Sequence, residues 1–288
     1  GGHALDFTNK AFESLDIIGW EHAPAILPSL VDQIVSARGS EESNAWRQPI
    51  DLVPLCEAAF AELPELLADG RAKRGSWRGD EVLAPLLLGD DPTAIMAALK
   101  SAIRDGATAT DLSRAIAYAA ALRVALFGVS NEHSDWDTAL HCFTYSNAVH
   151  QLLTRITAEG PLEQDRPELL RCVFHGAMQV YLIRFLNVPP ARLPGEGDDK
   201  LDELPRDGAE LCDAFIAALD RQGAVKTAGR LVARYLMLGH AVDPLIATLA
   251  RAVLREDAEF HTYQMLEAGV QQYRESGESA AGRQILIA

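Results

Sequence analysis

The sequence lacks the features that commonly bring a protein to a membrane or to nucleic acid. No apolar run is long enough to cross a bilayer, and no signal peptide is visible. Acidic residues outnumber basic residues by 41 to 26, which gives a formal net charge of -15. DNA, RNA and anionic membranes are bound through basic patches. We therefore expect a cytoplasmic protein without a nucleic-acid or membrane partner.

Cysteine is scarce and scattered along the chain. The four cysteines form no Cys-x-x-Cys pair and stand in apolar stretches at Cys56, Cys142, Cys172 and Cys212. This spacing argues against a disulfide framework and against a zinc–thiolate site, so we expect four buried thiols. A chain of 288 residues can bury a core large enough to fold without such crosslinks.

Sequence motifs of the common enzyme classes are also missing. The chain has no His-Glu-x-x-His pair, no Gly-x-Ser-x-Gly elbow and no glycine-rich phosphate loop after a strand. The Glu-x-x-His motif of ferritin-like di-iron bundles and the spacings of iron–sulfur ligands are absent as well. The chain opens Gly1-Gly2-His3 without methionine, which we interpret as a tag remnant or a fragment of a longer polypeptide.

Helical periodicity dominates what is present, and alternating β-branched patterns are scarce. It predicts a single all-α, bundle-like domain over residues 1–288, with about ten or eleven helices. The proline- and glycine-rich stretch 187–207 is interpreted as a long loop, either a lid over a pocket or a subdomain junction. The predicted helices are 3–18, 25–37, 51–68, 80–88, 92–104, 110–128, 136–158, 167–186, 208–221, 224–239 and 243–274.

Histidine is the most informative residue type, with eight copies in the chain. Helical spacing puts His141 on one face with Tyr145, so we expect it to point inward. His150 follows nine residues later, which turns it to a more polar face with Ser146 and Asn147. His141 and His150 therefore cannot both bind one ion from a straight helix.

Three further predicted helices each carry one histidine on an inward face. His175 stands in a helix that is apolar nearly all round, and His3 opens the first helix with Asp6 one turn along. His261 has Asp257 one turn before it. A carboxylate beside an imidazole can orient the ring at a metal site or bind the metal itself.

These positions predict a shared site in the helical core. Imidazole and carboxylate groups suit iron, zinc, copper or nickel, and iron is the ion we expect. A metal-free site with histidine as acid or base beside Tyr145 or Tyr263 is the alternative chemistry. The predicted metal ligands are His3, His141, His175 and His261, and the predicted catalytic or orienting groups are Tyr145, Asp257 and Asp6.

Three segments resemble an all-helical family related to the questin oxidases. They are Gly-Gly-His-Ala-Leu-Asp-Phe-Thr-Asn-Lys-Ala at 1–11, His-Cys-Phe-Thr-Tyr-Ser-Asn-Ala-Val-His at 141–150, and Glu-Asp-Ala-Glu-Phe-His-Thr-Tyr-Gln at 256–264. The resemblance implies oxygen insertion into polyketide-type aromatic rings, with His3, His141 and His261 at the site. It also implies a Rieske or ferredoxin-type electron donor, whose ligand pattern this chain does not carry.

We thus expect an oxidoreductase or oxygenase that acts on a small apolar or aromatic substrate. The alternative is a non-catalytic helical module that binds a partner protein and buries its histidines as ordinary core residues. A third interpretation, haem binding through one axial histidine, depends only on the presence of histidine on apolar helices.

Overall fold

Helices account for 76% of the chain in the computed structural model, and no strand occurs among the residues it describes. The all-α class predicted from the sequence is therefore confirmed. No helix of the described part combines enough length and apolarity to span a membrane. The described residues are 3–36, 50–158, 160, 166–197, 200–221, 223–256 and 259–288.

The described residues form 14 α-helices. In chain order they are α1 (His3–Ile18), α2 (Ala23–Ile26), α3 (Pro28–Ser36), α4 (Val53–Gly70), α5 (Asp80–Leu87), α6 (Pro92–Arg104), α7 (Ala109–Ala125), α8 (His133–Thr157), α9 (Pro167–Ile183), α10 (Gly208–Leu219), α11 (Val225–Met237), α12 (Val242–Arg255), α13 (Phe260–Ser276) and α14 (Ala280–Ile287).

Some helix starts follow from capping residues in the sequence. Asp91 is the N-cap of α6 and accepts a hydrogen bond from the Thr93 backbone N–H, with Pro92 in the first turn. The single helix predicted over 25–37 is instead split, because Pro28 has no N–H to continue the hydrogen bonding of α2.

The helix predicted over 243–274 is likewise two helices, α12 and α13. Glu256 ends α12 and Glu259 begins α13, both with extended backbone that interrupts the helical hydrogen bonds. The sequence prediction also missed α14, although Ser279 caps it by accepting a hydrogen bond from the Gly282 N–H. These differences raise the helix count above the ten or eleven expected.

The chain divides into two compact units, where the sequence predicted one domain. The first unit comprises Gly1–Ala120 and His141–Leu186, and the second comprises Ala121–Leu140 and Asn187–Ala288. The boundary at 140–141 falls within α8, so the continuous helical pattern of the sequence gives no sign of it.

The first unit is built on mutual packing of α4, α6 and α9. Leu63, Leu99 and Phe174 each lose all exposed surface in this core, and buried apolar surface is the main source of folding free energy. α4 meets α6 at Gly70, where a β-carbon would stand only 2.0 Å from the Ile103 carbonyl oxygen. Glycine at this position therefore allows the close approach.

The second unit has its own hydrophobic core, formed by α10 to α14. Phe215, Leu231, Tyr235, Leu245 and Leu286 are all buried in it. The Tyr235 hydroxyl donates a 2.6 Å hydrogen bond to the Ala241 carbonyl oxygen, which satisfies the polar end of a buried ring.

The stretch 187–207 is part of the second unit, where its described residues pack on α11. The Pro194 ring lies against Gly229, at which a β-carbon would stand 3.0 Å from Pro194 Cγ. Asp202 accepts a 2.8 Å hydrogen bond from the buried Arg234 guanidinium. In the described part this loop therefore covers a helix, and its role as a lid over a pocket stays a prediction.

The four cysteines are free thiols, as the sequence predicted. Cys56 and Cys142 are buried, whereas Cys172 and Cys212 are half-buried. Burial raises the pKa of the Cys172 thiol to about 11, and its Sγ donates a hydrogen bond to the Leu169 carbonyl oxygen. Such a thiol is a poor nucleophile at neutral pH.

Replacing Asn187 with alanine is expected to destabilise the second unit by about 1–3 kcal/mol. Asn187 is 5% exposed, accepts a hydrogen bond from the Gly128 N–H and donates one to the Leu126 carbonyl oxygen. The variant leaves both backbone groups without this partner. Urea unfolding of Asn187→Ala measures the loss, and Asn131→Ala, whose contact to Asn187 is 3.5 Å long, is the control. Equal stability of the two variants would contradict the anchoring role.

Candidate functional site

The candidate site is built around the middle of α8, which is buried on every side. Every residue from Cys142 to His150 is buried, so polar and apolar faces of the helix are both covered by neighbouring helices. Because polar groups without partners are costly in such surroundings, the contacts of this stretch decide which of its side chains are structural.

His150 is one of these buried groups, at 2% exposure. Its Nδ1 lies 2.9 Å from the Ser113 hydroxyl of α7, a hydrogen-bonding distance. The sequence placed His150 on the more polar face of its helix, and the structure shows that this face is buried as well. The alanine-rich α7, with Ala117 and Ala120 fully buried, packs closely enough to cover that face.

α1 and α8 run side by side in the same direction within the first unit. His3 contacts His141 across 138 positions, and Asp16 contacts Arg155 across 139 positions. A nearly constant offset over four turns means that the two helices are parallel and in register. Asp6, one turn after His3, correspondingly lies by Thr144, one turn after His141.

The imidazole rings of His3 and His141 are in contact at the start of α1. His3 Nε2 lies 2.8 Å from His141 Nε2, and the ring planes are nearly perpendicular at 89°. At this distance one Nε2–H donates to the lone pair of the other ring. The Phe7 ring stands edge-on to the His3 ring, with 5.9 Å between centroids. The sequence predicted both histidines as site residues, and the structure brings them together.

Asp6 is the buried carboxyl group beside this pair, at 1% exposure. Among the described residues neither of its oxygens has a hydrogen-bond partner of good geometry. Burial raises the pKa of Asp6, while Lys10, the Thr144 hydroxyl and His3 act in the opposite direction. An acid of this kind is easily neutralised by a proton or compensated by a cation.

Tyr145 lies on the other side of α8 with its ring buried. Its hydroxyl donates a 3.2 Å hydrogen bond to the Cys172 carbonyl oxygen of α9. Burial raises the pKa of this phenol well above its usual value. Both observations favour a structural hydroxyl, and the predicted acid–base role of Tyr145 stays a prediction.

His175 packs against α4 through an edge-to-face contact with Phe60, at 5.2 Å between ring centroids. Burial lowers the pKa of His175, and the neighbouring Arg171 lowers it further. The imidazole therefore remains neutral at neutral pH, as either a ligand or a core residue would. Its predicted place among the metal ligands stays a prediction.

His261 lies near the start of α13 in the second unit, with its side chain 12% exposed. Its Nδ1 is 3.6 Å from Glu259 Oε2, and its ring packs on Phe260 at 3.8 Å between centroids. Glu259, which the sequence analysis did not single out, is thus the acid seen beside it. Asp257, predicted as the orienting acid, lies outside the described residues.

Comparison with known proteins assigns the chain to no group. No protein family, no curated protein and no solved structure matches it. The resemblance to the questin oxidases therefore stays a prediction, and the functional argument is made from the residues themselves.

Asp6→Asn is expected to stabilise the metal-free protein at pH 7. Because burial raises the pKa of Asp6, the folded protein binds the proton of this carboxyl group more tightly than the unfolded chain does. The resulting stabilisation is complete below the unfolded pKa near 3.8 and is lost as pH rises through the folded pKa. The gain in thermal midpoint from Asp6→Asn should therefore shrink as pH falls toward 4.

Asp16→Asn, on the same helix, is the matched control. The hydrogen bond from Arg155 lowers the pKa of the exposed Asp16, so its contribution is present above pH 4 and lost on acidification. Asp16→Asn should accordingly give no stabilisation at pH 7. A fall in midpoint for Asp6→Asn at pH 7 would show that Asp6 is already compensated without a metal.

Proposed function

We propose that the protein is a metal-dependent oxidoreductase whose ion is held by His3 and His141. The observation that carries this proposal is the pair of Nε2 atoms 2.8 Å apart, with the buried Asp6 one helical turn away. The proposed ion is iron, because two imidazoles with a nearby carboxylate suit it and leave coordination positions open.

The distance between the two rings supports ion binding. Ligand nitrogens about 2.1 Å from one ion, at angles between about 90° and 109°, stand roughly 3.0–3.4 Å apart. The rings need to separate by only a few tenths of an ångström to reach this spacing. His3, at the exposed first position of α1, is placed to make that adjustment.

The charge of Asp6 supports the same proposal. Among the described residues this buried carboxylate has no hydrogen bond of good geometry, which is unfavourable, and a cation beside it removes that cost. His3 is near enough to influence the pKa of Asp6. We therefore assign Asp6 as the group that balances the charge of the ion and orients the His3 ring.

The reaction we propose is oxygen insertion into a small apolar or aromatic substrate. An iron ion, when bound, supplies oxygen activation. One oxygen atom enters the substrate, and the other is reduced to water with two electrons and two protons. A Rieske or ferredoxin-type protein supplies the electrons, and the Phe7 ring beside His3 provides an apolar surface for the substrate.

The proposal is tested with Fe(II) alone under anaerobic conditions. The chelator-treated protein should take up iron and gain stability, by about 2.7 kcal/mol when free iron is 100-fold above its dissociation constant. His3→Ala and His141→Ala should each weaken iron binding by more than the ~10–100-fold cost of losing an orienting partner. Iron content and thermal midpoint are measured on the same samples.

The control is His22→Ala, which removes an exposed histidine beyond the far end of α1. It should keep full iron binding. Unchanged binding in both His3→Ala and His141→Ala would reject the proposal and leave the pair as a structural hydrogen bond. The same measurement on His175→Ala and His261→Ala tests the ligand roles predicted for those residues.

The second candidate function is a partner-binding module without catalysis. It is favoured by α3, an amphipathic helix that buries none of its residues. Val31, Ile34 and Val35 on α3 are each more than half exposed, and exposed apolar surface of this kind marks interaction sites. Absence of iron binding together with capture of a partner by α3 would support this function.

A further inference from the structure

A group of side chains whose chemistry and spacing suit a metal ion lies in the second unit. His133 and Asp137 stand one turn apart at the start of α8, with Nδ1 and Oδ2 separated by 3.4 Å. Glu259, at the start of α13, brings a third side chain to them. One ligand atom from each of the three residues lies within 4.8 Å of the other two.

The backbone favours this arrangement before any ion binds. Residues at i and i+4 share one face of a helix, so His133 and Asp137 can both contact one ion from the same rigid helix. Glu259 is the N-cap of α13 but makes no capping hydrogen bond with its side chain. Its Oε2 lies 3.6 Å from His261 Nδ1.

The negative charges of Asp137 and Glu259 favour the binding of a cation. Two carboxylates lie close together beside one imidazole. A divalent ion can neutralise both and use the imidazole as a neutral ligand. The net charge of -15 also raises the concentration of cations near the surface.

We propose that His133, Asp137 and Glu259 bind a divalent transition-metal ion, with zinc as the matching choice. The imidazole selects against calcium and magnesium, which prefer oxygen ligands throughout. The side chains of His133, Asp137 and Glu259 are 82%, 33% and 57% exposed, so water completes the coordination.

Zinc binding is tested by calorimetry on the full chain carrying His141→Ala, which removes the proposed iron site as a competing acceptor. In this background Zn(II) should bind, and Ca(II) should bind far more weakly. Adding Glu259→Gln, Asp137→Asn or His133→Ala should weaken zinc binding by at least about tenfold, because even an orienting partner costs ~10–100-fold.

Asp135→Asn is the matched control, because Asp135 lies in the same first turn of α8 but points about 200° away from Asp137. It should leave zinc binding unchanged. Because these side chains are exposed, their replacement should not unfold the protein. Equal thermal midpoints of the metal-free variants would show that weaker zinc binding does not come from loss of folding. Unchanged binding in Glu259→Gln and Asp137→Asn, or an equal loss in Asp135→Asn, would overturn the site.

Discussion

The burial of α8 between Cys142 and His150 is the constraint on which the first unit depends. A helix covered on all sides satisfies its own backbone, but its polar side chains must find partners on the same helix or on neighbouring helices. Ser146 bonds back to the Cys142 carbonyl oxygen, His150 bonds Ser113 of α7, and Tyr145 bonds the Cys172 carbonyl oxygen of α9. These contacts align α7 and α9 with α8.

Asp6 departs from this pattern of satisfied polar groups on α8. Its carboxyl group is buried one turn from the contact between His3 and His141, and it has no hydrogen bond of good geometry within the described part of the chain. Proteins seldom keep such a group unless it serves a function or is compensated by an ion. Asp6 and the imidazole pair lie on the same two parallel helices, which is why we place the function there.

The histidines show how packing gives one residue type several roles. Three of them lie along α8, yet His133 is exposed beside Asp137, His141 meets His3, and His150 is hydrogen-bonded in the core. His175, on the apolar α9, packs on an aromatic ring instead. The chemistry of each imidazole is set by the element opposite it, and the sequence around the histidine does not contain that information.

The sequence by itself determined the helical class and the approximate positions of most helix starts. Periodicity and capping are local properties, readable within one or two turns, as Asp91 and Pro92 illustrate. Only the tertiary structure decided that His3 pairs with His141, that Glu259 lies beside His133 and Asp137, and that the chain divides within α8. Each of these depends on which helices pack together across long stretches of chain, and the burial that drives such packing is not directional.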